Sequence, residues 1–427
     1  MARLKAKYDL AERLLASAPA GGAKWVHDAR TAAAARLREM GAPHRRDEYW
    51  KYTDPSALTA ATARAAVFED PAETPPFAGL DRVRIVFVDG VYASDLSSDL
   101  SDADVVIEPL ADAMEKDTHW ANGLYGVLEA RGQARVNRPL AALNTARAVE
   151  GFTIHVTGRA RKPVSFVYIH RDATSDAMIH HVIRLEEGAE VTLLENGPVA
   201  ARSNIVTEID IPDTARFNHV RAQGRDHERL CATAIFARLG RESIFKSFTL
   251  TVNGKLTRNE CVAELTGNDA IAHVAGASAG DGTYHHDDTV FITHDAVNCE
   301  SRQVFKKVLR NGAAGVFQGK ILVQPDAQKT DGYQISQGLL LDEDSIFQAK
   351  PELEIYADDV ACSHGSTVGA IDEGMIFYLT SRGIPRREAQ DMLTFAFLGE
   401  AVDEIEDETL ADEIREKLAG WISRHSA

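Results

Sequence analysis

Between about residue 151 and about residue 350 the sequence runs through one short strand-like segment after another, with almost no helical period between them. Examples are FTIHV (152–156), VSFVYIH (164–170), AEVTLLEN (189–196), SNIVTEIDI (203–211), SIFKSFTLTV (243–252) and KILVQP (320–325). Within 203–211, Ile205, Thr207, Ile209 and Ile211 share one face, while Val206, Glu208 and Asp210 share the other. Phe248, Leu250 and Val252 alternate in the same way with Thr249 and Thr251. A period of two is what a half-buried strand requires. Many short strands without helical crossovers leave a barrel, a sandwich or a β-solenoid. Even spacing over some two hundred residues suits a solenoid, whose turns touch only their neighbours. No strict repeat can be read, however, and the pattern by itself leaves all three open.

The flanks have a different texture. Residues 1 to about 70 read as helical, with TAAAARLREMG (31–41) stopping at Gly41 and Pro43 close behind. PAETPPF (71–77) breaks any helix and reads as a connector. RIVFVDGVY (84–92) predicts a strand pair turning at Asp89-Gly90, and a helical stretch is expected over about 105–150. Helix returns near 374. After Pro385 the segment REAQDMLTFAFLGEAVDEI is apolar at Ala389, Met392, Leu393, Ala396 and Phe397, with Phe395 and Leu398 widening the stripe. The expected organisation is a helical region at 1–80, a mixed α/β connecting region at 81–150, a β core at 151–373 and a helical region at 374–427. The chain is thus mainly β with flanking helices.

Composition narrows the partners. The chain has 47 Lys and Arg against 64 Asp and Glu, a net charge of −17. Such a field repels phosphate backbones and anionic lipid, so neither nucleic acid nor membrane is an expected partner. Four cysteines in 427 residues do not make a disulfide scaffold and fit a reducing compartment. Asp9 and Glu12 interrupt any signal-like apolar stretch, and no run approaches the ~18 apolar residues of a membrane span. A cytoplasmic protein is expected.

Few motifs carry chemistry. GVFQGKI (315–321) holds Gly-Lys but lacks the phosphate-loop spacing, and Ile321 stands where Ser or Thr would bind magnesium. GASAGDG (276–282) has the wrong spacing for a dinucleotide site and reads as a polar loop. His273, His285, His286 and His294, with Asp287 and Asp288, offer metal-ligating groups, yet adjacent His285 and His286 on a strand point to opposite faces. Either a solvated surface or a metal contact fits them. Cys231, Cys261 and Cys299 are far apart and read as buried small hydrophobes. Asp358-Asp359 reads as a solvated turn, because adjacent strand residues face apart. Cys362-Ser363-His364 differs, because positions i and i+2 of a strand share a face. A polarised His beside the thiol would favour thiolate, the form that binds soft metals. Two ligands still fall short of the roughly four that an iron or zinc centre takes. Spacing alone leaves open whether the pair does chemistry or is ordinary strand surface. After Glu400 the tail holds eight acids against three bases, with Leu410, Ile414, Leu418 and Trp421 forming the stripe of a packing or docking helix.

Residues 298–383 settle what periodicity leaves open. The phrases FQGKI, QKTDGYQ, LLL, KPELEIYADDV and CSHGSTVG strongly resemble the core of the SufB/SufD family of iron–sulfur cluster assembly proteins. Weaker likeness extends through RDEYWKYTD (46–54) and RPLAALNTARAVEG (138–151). CSHG and the EYWKYT region look like the SufD branch. SufB has a Glu directly after the matching His, where this chain has Gly365, and no cysteine here matches the one central to SufB.

The resemblance implies a right-handed parallel β-helix between helical N- and C-terminal regions. It implies a complex of one SufB, one SufD and two copies of the ATPase SufC that assembles nascent iron–sulfur clusters. By carry-over, His364 would face SufB and help hold a nascent cluster with Cys362 beside it, the remaining ligands coming from the partner. The helical region around 385–420, with Met392, Phe395 and Phe397, would dock SufC. No cofactor would stay bound to the isolated chain, which would be a non-catalytic subunit able to pair with itself when SufB is absent. Competing readings are a SufB-like scaffold that assembles the cluster itself, and, from another class, a β-helix metalloenzyme or carbohydrate-active enzyme.

Overall fold

The computed structural model describes residues 2–19, 21–66, 75–101, 104–132, 136–223 and 228–425. Its centre is a coil of parallel strands, from Phe152–Val156 to Val360–Gly369, that falls alternately into a ten-stranded and a nine-stranded sheet. Neighbours within each sheet are alternate strands in sequence, so each turn gives one strand to each wall. That is a β-solenoid, not a barrel or a sandwich. One column of register partners runs Val164, Leu193, His219, Ser247, Val274, Gln303, Gln334, His364. The steps between its members are unequal, which is why no strict repeat is legible.

One corner recurs from turn to turn. Thr214, Glu242, Asp269, Asn298 and Lys329 all have left-handed backbone, with φ of 59°, 53°, 62°, 59° and 59°. The N–H of Thr214 donates to Arg241 O (2.7 Å), that of Glu242 to Asn268 O (2.8 Å), that of Asp269 to Val297 O (3.0 Å) and that of Asn298 to Gln328 O (2.9 Å). A left-handed residue with a Cβ costs roughly 1–2 kcal/mol. Each corner accepts that strain because its N–H then bonds the next turn.

Both outer faces are covered by helices. The N-terminal helices Ala2–Leu15 and Lys24–Met40, with Pro139–Arg147, pack Leu15, Leu37, Leu140 and Leu143 on Leu230, Ala232 and Leu256 of the nine-stranded sheet. The C-terminal helices Arg386–Val402 and Glu408–His425 set Leu398, Val402, Ile414 and Trp421 against Val304, Val308 and the small Ala275, Ala277 and Ala279 of the ten-stranded sheet. The acidic tail therefore packs on its own chain.

The first turn is closed. Val83–Val88 and Val91–Tyr92 pair through the expected turn at Asp89-Gly90 and extend one sheet. Val105–Pro109 pairs antiparallel with Phe152–Val156 and extends the other. Phe87, Tyr92, Phe152 and Phe166 plug that end, with Phe87 and Phe152 edge-on at 5.8 Å. The helical stretch expected from 105 therefore begins as a strand and turns helical only at Leu110–Met114. The connector at 71–77 lies mostly outside the described residues.

The interior mixes apolar packing with a continuous polar chain. Glu195 accepts from His219 Nε2 (2.9 Å), Arg221 (2.7 Å) and the Tyr168 hydroxyl (3.2 Å). Arg221 donates to Thr233 (3.0 Å), Thr233 to Asn259 (3.0 Å) and Asn259 to Asp288 (3.0 Å), which Lys307 also holds. Burial pushes the Glu195 carboxyl up, but Arg221 and the His219 hydrogen bond together hold it well below the usual carboxylate range. Burial also pushes His181 down to about 3 and His294 down to about 4.

Two predictions follow from the fold. Thr214→Gly removes strain from a β-branched left-handed residue and should raise the urea midpoint, worth up to about 1 kcal/mol. A lowered midpoint would mean that the Thr214 hydroxyl bond to the Asp213 carbonyl (2.7 Å) outweighs the strain. The buried histidines set the sign of the acid response. Their folded pKa lies below the unfolded ~6.5, so the unfolded chain binds more protons between that value and about 4. Stability should be full above about pH 6.5 and fall by up to about 1.4 kcal/mol per pH unit per histidine as pH drops from there. His294→Gln should flatten part of that slope in urea titrations; an unchanged slope would contradict its assignment as a buried neutral group.

Candidate functional site

Among the described residues no strand pairs beyond the solenoid's last turn. Val360–Gly369 ends the ten-stranded sheet and Ile346–Ile355 ends the nine-stranded one, so each is paired along one edge only. The remaining edge of each presents backbone N–H and C=O groups in the pattern a further strand would bond. Ile346, Ile355, Tyr356 and Val368 are exposed around it.

Cys362 and His364 lie on this last strand and continue inward-facing columns. His364 follows Gln303 and Gln334, both completely buried (0%), yet is itself exposed because no further turn covers it. Cys362 follows Ser301 and Gly332. A Cβ at Gly332 would stand 3.1 Å from the Cys362 sulfur and 3.3 Å from Ile321, so the glycine makes room for the thiol. Cys362 is half-buried against Ile321, Val323, Ala327 and Ala357. The i, i+2 geometry thus places both side chains on one face at the open end.

Their electrostatics differ from the sequence expectation. Burial pushes the Cys362 thiol up, nearby Asp331 adds to this, and a backbone hydrogen bond with Gly332 opposes both. His364 is not among the groups that shift it. The isolated chain therefore presents a thiol. Among the described residues no group of three or more His, Cys, Asp or Glu could hold a metal ion, so the pair is at most half a coordination shell.

The other candidates disperse. His285 Nε2 lies 2.9 Å from the Thr53 hydroxyl on the outer face, whereas His286 Nε2 meets Asn253 O at 2.7 Å inside. His294 meets Ser301 (2.8 Å) and His273 meets Glu300 (2.8 Å). Thr53 also donates to Asp287 (2.5 Å), Asp287 pairs with Arg258, and the Arg258 guanidinium lies 4.3 Å from the Trp50 ring centre. Tyr49 packs edge-on against Phe291 (4.9 Å) and donates to Glu352 (2.9 Å). The EYWKYTD phrase is thus a clamp joining the N-terminal region to the solenoid wall. Cys231, Cys261 and Cys299 are buried and free, and burial pushes Cys261 up to about 12. GVFQGKI sits in the strand Ala314–Val323, with Lys320 bonded to Glu354 at 2.5 Å. GASAGDG is not a loop: residues 276–281 end the strand Ile271–Asp281, where Gly276 makes room for the Phe305 ring 2.8 Å from its would-be Cβ.

On the C-terminal helices, Met392 is exposed, while Phe395 and Phe397 are half-buried against the cluster beneath, with Lys306 Nζ 4.6 Å from the Phe397 ring centre. The helix expected to begin near 374 is Glu373–Thr380, but sequence reasoning did not single out its apolar face, which exposes Met375, Phe377 (74%) and Tyr378 and buries Ile376. The run MIFYL was the available signal. It also missed Gln303 and Gln334, whose amide oxygens and nitrogens all lack hydrogen-bond partners. An orphaned buried polar group costs about 1–3 kcal/mol.

Comparisons with known proteins agree with this architecture. Residues 168–397 match the family model "SUF system FeS cluster assembly, SufBD core domain", and residues 5–163 match "SufBD protein N-terminal region". The chain is 28% identical over 393 residues to the iron–sulfur cluster assembly protein SufD of Escherichia coli, covering 90% of each chain. It is 28% identical over 417 residues to an iron–sulfur cluster assembly SufBD family protein of Synechocystis, covering 91% of this chain and 89% of that one. A SufD of Bacillus subtilis is 28% identical over 277 residues, covering 62% of this chain and 63% of its own. Among the described residues no helix is long and apolar enough to cross a membrane. This chain, with its solenoid core and helical flanks, belongs to the SufBD family of iron–sulfur cluster assembly proteins.

Proposed function

We propose that the chain acts as the SufD component of a cytoplasmic SUF assembly, a non-catalytic subunit working with a SufB chain and the ATPase SufC. The observation that carries this reading is the open last turn, where His364 and Cys362 sit on inward columns that no further strand covers among the described residues. A β-edge of this kind suits addition of a partner's strands, with main-chain hydrogen bonds for affinity and side chains for specificity. A SufB surface closing on it would supply the ligands that two residues cannot, and the nascent cluster is the cargo held there. Cover by a partner would also change the thiol's surroundings, and iron would favour its thiolate.

SufC docking is assigned to the C-terminal helical region. The apolar surface of Met375, Phe377, Tyr378 and Met392 has the composition of an interface core. Beneath it, Glu400, Glu404 and Glu406 are bonded to Lys306, Arg302 and Lys246 of the ten-stranded sheet, the sheet that ends in the His364 strand. ATP-driven closure of SufC would pull on these helices and bias the open end between two arrangements. Such coupling requires ATP to favour the closed state over the open one.

His364→Ala in a reconstituted SufB–SufC–SufD complex should lower cluster loading about tenfold or more, read by absorbance and bound iron. Loading at the unsubstituted level would remove His364 from the site. Phe377→Asp and Met392→Asp change exposed side chains and should leave the circular dichroism unchanged while weakening SufC binding about tenfold or more, a loss of at least ~1.4 kcal/mol. Equal SufC retention by both variants would place docking elsewhere.

A further inference from the structure

The open end has a second layer. Gln303 and Gln334 occupy the two positions directly beneath His364 in one inward column, and every polar atom of both amides lacks a partner. Much of the interior above them is hydrogen-bonded, from Glu195 through Arg221, Thr233 and Asn259 to Asp288. Gln334 has been given room to lie across the coil: a Cβ on Gly319 of the opposite sheet would stand 1.6 Å from its Nε2. Three phrases that carry the family resemblance therefore converge on one column end, FQGKI through Gly319, QKTDGYQ through Gln334 and CSHG through His364.

Register neighbours in a parallel sheet lie about 4.8 Å apart, the spacing at which stacked amides and ring nitrogens can bond along a ladder. The His364 ring has water available in the isolated chain. Once a partner covers the end, the nearest polar group on its own column is the Gln334 amide. A histidine that binds metal through one nitrogen needs an acceptor for the N–H of the other, and that acceptor sets tautomer and ring orientation.

We propose that Gln334 is a positioning residue for His364, its amide oxygen accepting from one ring N–H and leaving the other nitrogen's lone pair free for iron of the nascent cluster, with Gln303 securing the amide from behind. This inference rests on the reading of His364 as a cluster-facing residue. It needs no further ligand from this chain.

The test uses the full chain in the reconstituted complex, before and after cluster loading. Gln334→Leu keeps volume and replaces an orphaned amide with apolar atoms, a change that leaves folding neutral or improved; Gln334→Met serves if Leu packs badly, and Gln334→Glu restores an acceptor. Nitrogen-15 spectra of the cluster-free complex should show the His364 ring in one tautomer, mixed in Gln334→Leu and restored in Gln334→Glu. Cluster loading should fall about tenfold in Gln334→Leu and recover in Gln334→Glu. An identical tautomer distribution with Gln334 and Leu at this position would overturn the inference whatever loading does. If instead Gln334 fixes the tautomer but His364→Ala loads normally, the contact stands and the cluster-facing reading fails.

Discussion

The structure depends on one obligation: in a parallel coil, the hydrogen-bonding edge of each turn must be met by the next. Within the solenoid the obligation is met strand by strand, from Val164–Ile169 to Thr330–Leu340 in one sheet and from Asp176–Leu185 to Ala314–Val323 in the other. At the first turn it is met by the short antiparallel strands Val91–Tyr92 and Val105–Pro109 over an aromatic plug. At the last turn no equivalent strand occurs among the described residues. The same backbone rule that stacks the coil therefore leaves one end with unpaired strand edges, and Cys362 and His364 stand on it.

The interior prepares that end. A coil packed only with apolar side chains would carry no polar column to its mouth, whereas here buried charge is neutralised by paired groups such as Glu195 with Arg221 and Asp288 with Lys307. Breaking one member of such a pair would leave an uncompensated buried charge, so each carboxylate depends on its cationic partner. Near the mouth the pairing stops, and Gln303 and Gln334 keep unspent hydrogen-bonding capacity. Other buried polar atoms also lack partners, among them Ser165 Oγ, Asn196 Oδ1 and Thr257 Oγ1, but in Gln303 and Gln334 both amide atoms are left over and the two side chains are register neighbours below His364.

Sequence reasoning captured what period and side-chain direction control. The strands after 151, the opposed faces of His285 and His286, and the shared face of Cys362 and His364 all follow from a repeat of two, and the turn at Asp89-Gly90 follows from its residue types. It missed what depends on long-range contact. Glu242 and Lys329 take left-handed corners because the neighbouring turn offers a carbonyl, which local propensity cannot reveal. Gly276 reads as part of a loop, but it and Gly319 are strand positions emptied for Phe305 and Gln334. Val105–Pro109 is strand because Phe152–Val156 awaits it. The Cys362 thiol is set by its burial against Ile321 and Val323 and not by the histidine two residues on.

The central claim is that the last turn is the surface through which this chain shares a cluster site with a SufB partner. Amide hydrogen exchange across Ile346–Ile355 and Val360–Gly369 tests it most directly, because an unpaired edge exchanges and a paired one does not. Compared between the monomeric chain and the complex, both strands should become strongly protected on SufB binding, while the already paired Thr330–Leu340 changes little. A complex that forms with the exchange of both end strands unchanged would contradict the account.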